Sequence, residues 1–194
     1  MRVQDAADAV YLGLRSLDAR RYLCAMWIVC GALRSAYEDR LSADESVLMA
    51  STLRVVRDVV ISGEPTADAV AGAARLSEQW YQMTTEREAE VMPGQWNTWV
   101  VFRDLASEIT GVAPRYESAE RVDLAATDRL REHLRGPLLN DPDEEADESS
   151  PMAHMLAFLE LAVAGTAGLP EERLRDLDWD PSQVQAEISG GSAL

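Results

Sequence analysis

Between Arg21 and Arg34 lie twelve consecutive uncharged residues, Tyr22 to Leu33, which constrain this chain more than any other stretch of it. A helix crossing a bilayer needs about 20 apolar residues, so this run is too short to span one and the right length for a helix buried on nearly all sides. The fold must therefore wrap it in apolar surface, and the neighbouring segments offer that surface with helical spacing. Val3, Ala7, Val10, Leu14 and Leu17 recur at alternating steps of four and three, while Asp5, Asp8 and Arg15 fall off that face. Asp18 is placed to cap the helix that carries the uncharged run, which is predicted to continue to about Arg40.

Helix starts and stops punctuate the chain beyond Arg40. Ser42 and Glu45 have capping-box spacing and open a third helix, whose stripe is Leu48, Leu53, Val55, Val56, Val59 and Val60 before Gly63 and Pro65 end it. Thr66 caps a fourth helix rich in small residues, from Ala67 to Ala74, which allow close helix approach and lead into Trp80, Tyr81 and Met83. Met92, Pro93 and Gly94 break the chain before a fifth helix with Trp96, Trp99, Phe102, Leu105 and Ile109, which Gly111 and Pro114 stop. A sixth helix is expected through Val122, Ala126, Leu130 and Leu134, and a seventh from Ser150 and Pro151 through Met155, Leu159 and Val163. A short eighth is expected near Glu171–Leu177 and a ninth from Asp180 and Pro181. No Asn-Gly or Asp-Gly hairpin turn separates alternating runs. The expected class is all-α: a single irregular bundle of seven to nine helices over residues 1–189, with an acidic loop at 140–150 and a flexible tail at 190–194.

Charge narrows the function classes. All eighteen basic residues are arginine, against thirty-four Asp and Glu, for a net charge of −16. With no lysine, the chain lacks the central group of a phosphate-cradling P-loop, a protein kinase, a pyridoxal phosphate aldimine or an amine Schiff base. The arginines are interleaved with acids, so no basic patch is available to displace counterions from phosphates, and neither direct nucleic-acid binding nor an anionic membrane partner is expected. Residues 137–194 hold thirteen acids and two arginines, concentrating the negative charge in the C-terminal third. Asp5 and Asp8 stand where a secretory signal would be basic and then apolar. Cys24 and Cys30, six residues apart on one helix, point about 120° apart with a rise of roughly 9 Å, beyond disulfide reach. Reduced thiols and a cytoplasmic location are expected.

Four sets of residues are candidates for chemistry. Asp141, Asp143, Glu144, Glu145, Asp147 and Glu148 form a loop that could steer a basic partner or simply be solvated. Asp176, Asp178, Asp180, Ser182 and Glu187 match the ligand places of a calcium-binding EF-hand loop, but Pro181 stands where that loop needs a glycine at positive φ. A helix start capped by Asp180, with Pro181 at its first position, explains the same residues without a metal. His133 and His154 have no ligand-spaced neighbours, so neither a metal nor a cofactor is expected. Trp80, Tyr81, Trp96, Trp99 and Phe102 fall within twenty-three residues and would either wall a small-molecule pocket between the fourth and fifth helices or pack as core.

The function these features favour is that of a non-enzymatic, acidic protein-binding module, an immunity or inhibitor protein that neutralises a basic partner such as a nuclease effector. Its interface would use the loop acids with Asp176, Asp178 and Asp180. A helical regulatory domain with the aromatic pocket is the alternative, and an enzyme using only Asp, Glu and Arg the third.

Overall fold

Four of the first five helices open where local chemistry satisfies their unpaired N–H groups or tolerates their loss. In the computed structural model, which describes residues 3–113, 116–119, 121–122 and 162–176, helix α1 spans Val3–Ser16 and α2 spans Ala19–Ala36. Asp18 caps α2, its carboxylate accepting from the backbone N–H groups of Arg20 and Arg21. Helix α3, Ala43–Ser62, starts in a full capping box: Ser42 Oγ accepts from Glu45 N, and Glu45 Oε2 accepts from Ser42 N at 2.6 Å. Thr66 caps α4, Ala67–Glu86, and Pro93 occupies the first position of α5, Pro93–Thr110, where its missing N–H costs nothing. Gly63 and Gly111 close α3 and α5 with left-handed φ of 85° and 71°.

One boundary differs from the sequence expectation. Helix α2 stops at Ala36 rather than near Arg40, and a 3₁₀ turn, Glu38–Arg40, follows it. The residue that turns the chain is Tyr37, whose N–H returns to Arg34 O and Ser35 O while its side chain is buried. Burial of an aromatic ring ends the helix here, where no glycine or proline does. The expected eighth helix starts later than its sequence range, its described part running Arg173–Asp176 after a turn at Glu171 and Glu172.

Short connections make sequential neighbours antiparallel, and α2, α3, α4 and α5 pack in that order, closing through contacts of α5 with α2 and α3. The uncharged run lies at the centre: Cys24 to Cys30 is buried without a break. It meets Leu48, Met49, Val56 and Val60 from α3, Trp80 from α4, and Val101, Phe102 and Leu105 from α5 in one apolar cluster. Both cysteines are free, and burial pushes the Cys24 thiol up to about 12 and the Cys30 thiol further still, so neither is a nucleophile at neutral pH. Helix α1 contributes Val10 and Leu14 to the same cluster.

The helical stretch 162–168 and the short helix Arg173–Asp176 dock on this frame. Gly13 of α1 lies so close to Val163 that a β-carbon there would come within 2.7 Å of its Cγ1. Leu174 is fully buried, and its short helix packs on α3. Arg20 and Arg21 fasten the segment. Arg20 donates to Val60 O, to Ile61 O and to Glu171 Oε2 at 2.6, 3.2 and 2.5 Å; Arg21 donates twice to Leu169 O and pairs with Asp18 and Glu171.

All the described secondary structure is helical, and among the described residues no helix is long and apolar enough to cross a membrane. The sixth, seventh and ninth helices expected from the sequence lie wholly or largely outside the described residues.

Candidate functional site

Two regions at opposite ends of the α2–α5 bundle concentrate polar chemistry. The first is built where α5 ends. Glu108 falls three residues after Leu105 and seven after Val101, so helical geometry turns a carboxylate toward the core. Ser118 N–H donates to Glu108 Oε1 at 2.9 Å; Ser118 Oγ and Tyr22 Oη lie 2.9 Å from Oε2 and 2.5 Å from each other. Three donors thus converge on one carboxylate. Burial nevertheless dominates and pushes Glu108 up to about 7, with the Asp104 charge adding to it and the three hydrogen bonds opposing it. Burial and the neighbouring Glu108 raise the Tyr22 phenol well above its ordinary value.

The turn that brings Ser118 here is held under strain. Tyr116 has φ of 75°, a left-handed conformation that costs a non-glycine residue about 1–2 kcal/mol. It is anchored on both sides: its ring meets the Tyr22 ring edge-on at 4.5 Å between centroids, and its hydroxyl donates to Leu17 O at 2.8 Å. One turn earlier on α5, Asp104 is 4% exposed between Arg103, 2.8 Å from Oδ1, and Arg121, 3.0 Å from Oδ2, the latter an ion pair off the hydrogen-bond axis.

Beside Glu108 opens a pocket of about 100 Å³, with Arg20 and Tyr22 as its other polar walls and Leu23, Val59 and Ile109 among its apolar ones.

The opposite end carries exposed acids. There α2 turns into α3 and α4 into α5, and Glu38, Asp39, Asp44, Glu86, Glu88 and Glu90 are all exposed, with Arg40 and Arg87 the basic residues of the same turns. Arg87 donates to Glu90 at 3.1 Å. Behind this surface Glu45 is buried, bound by Gln95 Nε2 at 2.8 Å as well as by its capping box.

The aromatic candidates divide. Trp80, Trp99 and Phe102 are fully buried; Trp80 Nε1 donates to Thr52 Oγ1 at 3.0 Å and its ring lies 5.6 Å from that of Phe102. Trp96 is half-buried with Nε1 bonded to Thr84 O, and Tyr81 is 56% exposed on the outer face of α4. Trp99 Nε1 has no acceptor among the described residues, and the Arg87 guanidinium lies 5.3 Å from the Trp99 ring centroid.

Asp141, Asp143, Glu144, Glu145, Asp147 and Glu148 lie outside the described residues, as do Asp178, Asp180, His133 and His154. Asp176 lies in the short C-terminal helix as its last described residue. Among the described residues no three His, Cys, Asp or Glu side chains are grouped to hold a metal ion. The Glu108–Tyr22–Ser118 cluster is not among the candidates the sequence offers; its one sequence signal is an acid in a core register on α5. No protein-family model matches the chain, and neither a curated protein nor a solved structure matches it.

Proposed function

We propose that this protein is a non-enzymatic binding module for a cationic protein, of the inhibitor or immunity kind, which covers a basic effector such as a nuclease. The observation that carries the reading is the pair of acidic turns: six exposed carboxylates against three arginines, Arg34, Arg40 and Arg87, at one end of the bundle, in a chain of net charge −16. Like charges held this close repel, and a partner of opposite potential relieves the repulsion while accelerating encounter. The loop acids from Asp141 to Glu148, with Asp176, Asp178 and Asp180, extend the same surface chemistry in this proposal. A single helical domain of seven to nine helices over residues 1–189, acting in the cytoplasm, is part of the same proposal.

The experiment is a salt-dependent pull-down from the native host, followed by kinetics with the purified partner. A basic protein recovered at low salt and lost at high salt is the expected result. Changing Glu86, Glu88 and Glu90 together to Gln should then slow association roughly tenfold and flatten its salt dependence. An unchanged on-rate and salt slope in that variant, and in one neutralised from Asp141 to Glu148, would overturn the reading.

A further inference from the structure

The pocket beside Glu108 combines features that a packed core does not need. Its walls are largely apolar, yet a carboxylate lines it, and among the described residues no guanidinium lies within ion-pairing distance of Glu108. The cation across the pocket, Arg20, is committed elsewhere: two backbone carbonyls of α3 and the Glu171 carboxylate take its guanidinium. The carboxylate retains acceptor capacity, because Oε1 receives a single hydrogen bond, from Ser118 N, and a carboxylate oxygen accepts two. A small cation is the guest whose charge this carboxylate complements. A volume of about 100 Å³ suits a guest of a few heavy atoms, such as a short aliphatic amine.

We propose that this pocket binds a small primary alkylammonium ion, its charge on the Glu108 carboxylate and its chain against Leu23, Val59, Pro65 and Ile109. The site is separate from the acidic end and independent of the protein-binding reading. Glu108 must ionise to pair, so binding releases a proton at and below pH 7. The other groups facing Glu108 leave that linkage simple. Tyr22 and Cys30 on α2 are pushed up by burial and remain neutral. Asp104 on α5 is paired with Arg103 and Arg121, Arg20 with Glu171, and Ser118 does not titrate. With the Glu108 carboxyl near 7, affinity should be roughly tenfold higher at pH 8 than at pH 6.

The test is a titration of the full chain with butylammonium chloride, followed by amide NMR at pH 8 and pH 6 at constant ionic strength, with 1-butanol as the uncharged control. Saturable shifts at Tyr22, Leu23 and Ile109 with a dissociation constant of about 1–10 mM are expected at pH 8, weakening about tenfold at pH 6 and absent with butanol. Absence of saturable shifts at these residues, or equal binding of butanol, would overturn the proposal. Glu108→Gln should abolish ammonium binding, and a folded variant that binds as before would also overturn it. Should that variant fail to fold, Ala19→Leu narrows the pocket from its rim with Glu108 in place; loss of binding supports the site, and retention overturns it.

Discussion

At the end where α2 turns into α3 and α4 into α5, carboxylates stand in water: Glu38, Asp39, Asp44, Glu86, Glu88 and Glu90 are exposed, and Glu90 is held by Arg87. At the end where α5 finishes, Glu64, Asp68 and Glu172 are exposed as well, but four other carboxylates are tied in. Asp18 binds two backbone N–H groups and Arg21, Glu171 bridges Arg20 and Arg21, Asp104 sits between Arg103 and Arg121, and Glu108 gathers Tyr22 and Ser118. The same functional group acts differently because its surroundings differ. In water a carboxylate's field reaches outward, screened only over about 8–10 Å, and costs the fold little. Desolvated, it must find donors, and each donor it finds fixes a distant piece of chain. The exposed acids of the first end belong to the surface, and the tied acids of the second are part of the framework, as Glu45 is behind the first.

The largest effect expected from this contrast is at Arg20. Its side chain is 10% exposed and holds the last carbonyls of α3 and Glu171 of the C-terminal segment at once. Arg20→Ala should lower unfolding stability by about 2–3 kcal/mol in urea titration, as expected when a buried, charge-assisted network loses its donor. A loss below about 0.5 kcal/mol would mean that the tied end is no more structural than the exposed one.

Next comes the joint between α1 and the C-terminal stretch. Gly13→Ala drives a methyl group into Val163, a buried, β-branched neighbour with little room to turn, and should cost about 1–3 kcal/mol. Gly31, in the middle of α2, is the internal control: nothing lies within 4 Å of a β-carbon there, so Gly31→Ala should stabilise by about 0.5–1 kcal/mol through helix propensity alone. Thermal unfolding of both variants checks the pair, and equal signs would break it.

Glu108 sharpens the comparison through pH. Its carboxyl is near 7 in the fold and 4.5 in the unfolded reference, so folding favours the protonated form. The stability it contributes is full below about pH 4.5 and is lost as pH rises to 7. Asp18 runs the other way: burial opposes ionisation, but its bonds from Arg21 and Arg20 hold it below its ordinary value, so its contribution is present above pH 3.8 and fades on acidification. Glu108→Gln should therefore gain on the wild type as pH rises from 4.5 to 7, measured as the difference in urea midpoint at each pH. A difference independent of pH would show that Glu108 titrates alike in both states.

Local chemistry is legible in the sequence and long-range chemistry is not. The caps at Asp18, Ser42 with Glu45, Thr66, Gly63 and Gly111 each depend on residues within four positions, and the structure places them as their types require. The uncharged run announces the buried centre for the same reason. The end of α2 escapes a sequence reading because what stops the helix is tertiary burial of the Tyr37 ring, and nothing in its sequence neighbourhood encodes that. Glu108 is harder still. Its partners come from 86 residues upstream and 10 downstream, across a turn whose key residue, Tyr116, has a conformation that its type disfavours. Only the register of an acid among Val101, Leu105 and Ile109 hints that it points inward.

The smallest effect on stability should come from the end with the most visible charge. Glu86, Glu88 and Glu90 are exposed, and changing all three to Gln removes the surface ion pair to Arg87. Such pairs contribute little, and the repulsion among neighbouring carboxylates is relieved at the same time. The triple variant should stay within about 0.5 kcal/mol of the wild type in urea titration. Any gain at low salt should vanish at high salt, because screening already removes the repulsion there. A loss greater than about 1 kcal/mol would place these acids in the framework after all, and the division of the molecule into an outward-facing acidic end and a tied one would fail. If stability holds while association with a basic partner slows, the two ends differ as their surroundings require: one holds the chain together, and the other projects its charge.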